Sequence, residues 1–160
     1  MHAFSFNPVI IFLNSRVVKT FIGHDTSLVM DRDENGMIPL HLASLNGKLE
    51  AVQAHQSLLS LVKVREARDY VLNTPLHLAC SGGNREVAEY LIEVGCSTNA
   101  KNLKKDSLIH VAVQNGHKSV TELLLVKGVS TASLDAQKCT PAHIAAKHDK
   151  ISIIKLLKKR

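Results

Sequence analysis

Thr74-Pro75-Leu76-His77-Leu78-Ala79 decides the fold, because the chain carries four versions of it. Ile38-Pro39-Leu40-His41-Leu42-Ala43 comes before, and Ser107-Leu108-Ile109-His110-Val111-Ala112 and Thr140-Pro141-Ala142-His143-Ile144-Ala145 come after. The histidines of these phrases are 36, 33 and 33 residues apart. Six residues after each stand Gly47, Gly83, Gly116 and then Asp149, and Gly95 and Gly128 lie eighteen residues after the second and third. A fixed period with such internal punctuation marks a repeated supersecondary unit.

The physics of one unit follows from its residues. Thr74 and Thr140 suit helix N-caps, and the prolines after them fall at the first helical position, where a missing N–H costs no hydrogen bond. Each phrase therefore opens a short helix. Ala43, Ala79, Ala112 and Ala145 are small enough to let a second helix approach closely. The glycines end the first helix, because they enter the left-handed conformation without a Cβ penalty. A second, amphipathic helix follows, with Val87, Ala88, Leu91 and Ile92 in one copy, Val120, Leu123 and Leu124 in the next, and Ile153, Ile154, Leu156 and Leu157 in the last. One such pair cannot bury its apolar face alone, so neighbours must stack into an all-α solenoid of helix–turn–helix pairs.

The phrase and its period resemble the ankyrin repeat family over about residues 31–160. The resemblance implies short β-turn fingers between units, and Ser97-Thr98-Asn99-Ala100-Lys101-Asn102 looks like one of them. The units are expected at about residues 33–72, 73–105, 106–138 and 139–160, the last incomplete. Three departures stand out: three extra residues between the first and second copies, Leu108 where proline is usual, and Asp149 where glycine is usual. The extra residues are expected within Gln56–Leu72, as a longer second helix or an enlarged finger. Val17-Val18-Lys19-Thr20-Phe21-Ile22 reads as the second helix of a preceding unit, but no histidine stands near Pro8. Residues 1–30 are thus expected to be a degenerate or truncated repeat.

Composition agrees with helices. Hydrophobic residues make up 45% and charged residues 21% of the 160, which excludes a chain too polar to bury a core. Aromatics are only 4% and tryptophan is absent, so Leu, Ile, Val and Ala must fill the interior. Val9-Ile10-Ile11-Phe12-Leu13 lacks a basic flank and makes a poor signal peptide, and no apolar run approaches the roughly 20 residues of a membrane span. Three cysteines, Cys80, Cys96 and Cys139, form no C-x-x-C pair and point to a reducing compartment, with cytoplasmic localisation expected and the nucleus also compatible. The net charge of +6 is concentrated in residues 136–160, in a cluster without aromatics, which disfavours nucleic acid as partner.

No catalytic or metal site emerges. His41, His77, His110 and His143 occupy one repeat slot, three residues past the cap, where the ring can bond the capping hydroxyl or nearby backbone. Stacking would set them about a repeat apart, too far to share an ion at about 2 Å per ligand. Cys139 and His143 lack a third orienting group, Gly82-Gly83-Asn84 is a helix-ending turn without a phosphate-loop pattern, and Cys80 and Cys96 read as buried fillers. The expectation is a non-enzyme with neither cofactor nor metal nor small-molecule substrate.

The leading function is a protein–protein interaction scaffold that, by the resemblance, binds a partner protein through the concave face of the array, and the alternative is a cytoplasmic repeat segment of a larger protein such as a transient-receptor-potential ankyrin-type ion channel. The apolar excess of Ile151, Ile153, Ile154, Leu156 and Leu157 predicts a C-terminal helix that frays, is covered by further sequence, or self-associates end to end. Resemblance places partner contacts on the finger tips and on the residues before each helix-ending glycine, with the second helices on the outer, convex layer. The finger candidates are Met37, Tyr70, Val71, Asn73, Leu103, Lys104, Asp106 and Gln137. Those at the helix ends are Leu45, Asn46, Ser81, Gln114, Asn115, Lys147 and His148. Tyr70, Leu103, Met37 and Leu45 are the expected anchors, unless Leu45 and Leu103 merely pack between neighbouring units.

Overall fold

The computed structural model describes residues 30–54 and 62–158. Each phrase opens a helix: α1 (Pro39–Leu45), α4 (Pro75–Gly82), α6 (Leu108–Gln114) and α8 (Pro141–Lys147). A tight turn leads from each to a second helix: α2 (Leu49–Ala54), α5 (Arg85–Glu93), α7 (Lys118–Val126) and α9 (Ile151–Leu157). A further short helix, α3 (Val62–Arg65), lies in the stretch where the first unit is longer than the others. Among the described residues the only β feature is an isolated bridge between Lys101 and Ser107.

The histidines start the helices as much as the hydroxyls do. In α4 the Thr74 side chain accepts from the His77 amide at 3.4 Å, and His77 Nδ1 pairs with Thr74 Oγ1 at 2.9 Å. Ser107 and Thr140 hydroxyls each sit 2.8 Å from the Nδ1 of His110 and His143. Ile38 has no hydroxyl, yet its backbone N–H donates to His41 Nδ1 at 3.1 Å, so the ring caps the first helix unaided. At the other end Asp149 takes the glycine slot at φ 53°, a left-handed conformation that an aspartate tolerates better than most residues.

Packing is continuous along the array. First helices lie on first helices, α1 on α4, α4 on α6 and α6 on α8, and the second helices form a parallel row. Ala43, Ala79, Ala112 and Ala145 are fully buried, together with Leu40, Leu76, Leu108, Ile109, Leu91 and Leu124. Cys80 and Cys96 sit in the same core, and all three cysteines are free. Burial pushes both core thiols up to about 12. In α9 only Ile153 is buried, whereas Ile151 is 64% exposed and Ile154, Leu156 and Leu157 are half-buried.

Two sequence expectations need correction or bounding. The first unit's extra residues do not enlarge its finger, since Asp69 stands eight residues before His77 just as Asn102 stands eight before His110. The extra length falls before the finger, in the stretch that holds α3; residues 55–61 lie outside the described residues. The degenerate repeat expected over residues 1–30 likewise lies outside them, apart from Met30.

Candidate partner-binding face

Four fingers share one construction. Asp33, Asp69, Asn102 and Asp135 each turn a side-chain oxygen back onto the chain, accepting the N–H groups two and four residues on. Their distances run from 2.7 to 3.0 Å. The backbone closes the same loop: Asp69 N–H donates to Asn73 O, and Leu72 N–H donates to Asp69 O, both at 3.0 Å. Such side-chain turns stabilise a tight bend without needing glycine. The residue that pays a conformational cost is the fourth, where Leu72, Lys105 and Lys138 hold φ near 60°, and only the first finger places glycine, Gly36.

The fingers are also joined to one another. The N–H of Tyr70 donates to Asn35 O, that of Leu103 to Val71 O and that of Ala136 to Lys104 O, at 2.9 to 3.0 Å. Arg32 reaches Arg68 O at 2.7 Å, Arg68 reaches Lys101 O at 2.9 Å, and Lys101 reaches Leu134 O at 2.8 Å. The tips therefore form one hydrogen-bonded ribbon along the array. Below it, His41 Nε2 lies 3.1 Å from both Ala67 O and Asn73 O, and His110 Nε2 lies 3.0 Å from Cys139 O. Because Nδ1 accepts from a backbone N–H in these rings, the ring proton belongs on Nε2, which donates to the next finger's carbonyl. His77 has no such partner on Nε2. Burial holds its pKa down at about 4, against the opposing backbone of Asp106. His41 is lowered for the same reason.

On this rigid ribbon Tyr70, Val71 and Leu103 are 67%, 51% and 62% exposed. The Tyr70 ring lies directly over Gly36, where any Cβ would come within 2.5 Å of the ring. Leu103 therefore does not pack between units, while Leu45 is half-buried and offers its carbonyl to Asn84 Nδ2 at 2.7 Å. Lys104 and Gln137 are exposed on their tips, and Asn46, Gln114, Asn115, Lys147 and His148 are exposed at the helix ends. Asn46 and Asn115 spend their amides on their own helices, donating to Leu42 O and Val111 O. Met37, Asn73 and Ser81 are half-buried, and Ser81 O accepts from His117 Nε2 at 2.8 Å.

Asp106 is not at the surface, contrary to expectation. It is 7% exposed, and its carboxylate accepts from Asn102 Nδ2 at 3.3 Å. The same amide group reaches Asn73 Oδ1 at 3.3 Å, so these side chains tie two fingers together instead of presenting them. The residues the sequence reading overlooked are the finger anchors Asp33, Asp69, Asn102 and Asp135. An Asp or Asn eight residues before every phrase histidine was a signal available in the sequence.

The family model for ankyrin repeats (3 copies) matches residues 9–102 and 94–160. The chain belongs to the ankyrin repeat family. Over 71 residues the ankyrin array is 41% identical to protein phosphatase 1 regulatory subunit 27 of Homo sapiens, a match covering 42% of this chain and 42% of that relative. The Mus musculus protein of the same name matches equally. The matched segment thus spans less than half the length of these relatives. Ankyrin repeats and a regulatory-subunit relative together point to a protein-binding chain with a protein as its partner. Among the described residues no His, Cys, Asp and Glu side chains gather into a metal-ligand set, and no helix is long and apolar enough to cross a membrane.

Proposed function

We propose that this chain is a non-catalytic scaffold that binds a partner protein through its finger tips and the adjoining ends of its first helices. The observation that carries the reading is the row of exposed apolar side chains, Tyr70, Val71 and Leu103, on fingers locked to each other by backbone hydrogen bonds. Large side chains carried on a backbone already fixed in place leave less entropy to lose on binding, so more of the gain from desolvating them appears as affinity. The likeness to a phosphatase regulatory subunit supports a regulatory use of the face, with an enzyme as the partner. Neither comparison draws the chain toward the channel-segment alternative. Its buried thiols fit a reducing compartment, the cytoplasm or the nucleus.

The test is affinity capture with the intact chain, with protein phosphatase 1 as the first candidate, followed by binding measurements on variants. Tyr70→Ala and Leu103→Ala should each weaken binding by at least about 2 kcal/mol, roughly thirtyfold in Kd, if they are hot spots. Glu89→Ala on α5 should leave binding unchanged. Normal binding by both finger variants beside a weakened Glu89→Ala would overturn the assignment of the face.

A further inference from the structure

We propose that the partner presents an extended peptide segment carrying one or two apolar side chains followed by acidic ones, read across the second to fourth fingers. The proposal rests on the finger-face reading above and adds the chemistry of what is bound. The apolar part of the face lies on the second finger and the start of the third. There Tyr70, Val71 and Leu72 stand exposed, and Leu103 joins them through its N–H to the Val71 carbonyl at 2.9 Å.

The charged part continues in the same direction. Lys104 and Lys105 follow Leu103 on the third tip, Lys138 lies on the fourth, and all three are exposed. Residues 101–158 hold ten lysines against four carboxylates, five of the lysines (Lys118, Lys127, Lys150, Lys155 and Lys158) belonging to the second helices and their caps. Two of the four, Asp106 and Asp135, are buried in the finger turns, where they bond Asn102 Nδ2 and the Gln137 and Cys139 amides. Glu122 is on the second-helix layer beside Lys118 at 3.6 Å, and Asp149 is exposed in the turn that ends α8, away from the finger that precedes it. The first finger reverses the sign, with Asp31, Asp33 and Glu34 against the single cation Arg32. The field along the tips therefore changes from acidic through apolar to basic, and this fixes the direction of the bound segment. Groups set finger after finger in a single row suit an extended chain, and a nucleic acid would use the lysines while leaving Val71 and Leu103 without apolar partners.

The experiment is selection from a random peptide library on the immobilised full chain, with fluorescence anisotropy on the enriched peptides. The expected winners are net acidic with apolar residues to one side. Their affinity should fall about tenfold or more with Leu103→Ser and with Lys104→Glu combined with Lys105→Glu, should fall as salt rises, and should ignore Glu89→Ala. Neutral or basic winners that still depend on Leu103 would overturn the acidic chemistry and leave the finger face standing. Acidic winners sensitive to Glu89→Ala and indifferent to the finger variants would overturn the face itself. Absence of enrichment, or tighter binding of oligothymidylate or phosphatidylserine vesicles than of any peptide, would also overturn the proposal.

Discussion

Acidification below neutral pH should destabilise this array, and His77 sets the scale. The ring is buried, its Nδ1 accepts from the Thr74 amide at 3.3 Å, and its Nε2 has no partner, so the folded protein holds it neutral down to about pH 4. In the unfolded chain the same ring takes a proton near its ordinary value of 6.5. The folded pKa is depressed, so the unfolded state binds more protons between these values and stability falls as pH drops through that window. The interval corresponds to about 3 kcal/mol, at about 1.4 kcal/mol per pH unit once the unfolded ring is charged. His41 is lowered in the same direction and adds to the slope. Urea titrations followed by circular dichroism from about pH 7.5 to 4.5 measure the effect, with His77→Gln as the comparison. The variant should be less stable at neutral pH yet lose less on acidification. Stability that stays flat from pH 7 to 5, or equal slopes in the two proteins, would refute the reasoning.

Asn102→Ala should cost about 1–3 kcal/mol, because the Lys104 and Asp106 amides lose their acceptor and the link to Asn73 disappears. A thermal melt checks it, with a Tm unchanged within error as the contrary result. Asp149→Gly should gain up to about 1 kcal/mol by removing a side chain from a left-handed position, read by the same melt. Cys80 and Cys96, buried and pushed up to about 12, should react with a disulfide reagent only after unfolding, whereas the half-buried Cys139 should react in the native protein. Three thiols titrating together in native buffer would contradict this.

The helices were legible because their causes are local. Proline at the first position, histidine three past the cap and a glycine or aspartate six later act within one unit, and a period of 33 states them repeatedly. Burial of the four alanines followed from the same spacing. What escaped the reading depends on contacts between units. Asp106 looked like an exposed tip residue, and only the neighbouring Asn102 and the stacked finger before it explain its burial. The ladder of Arg32, Arg68 and Lys101, each reaching the next finger's carbonyl, likewise depends on the stacked neighbour. The exposure of Tyr70 and Leu103 was readable from the finger position, but the support of the Tyr70 ring by Gly36, from 34 residues earlier, was not.

Hydrogen–deuterium exchange of the intact chain, with and without its captured partner, tests most directly whether the finger face is the binding face. The account predicts slower exchange over residues 69–73 and 102–106 in the complex, with α5 and α7 unchanged. Protection confined to α5 and α7, with the fingers exchanging as before, would contradict it.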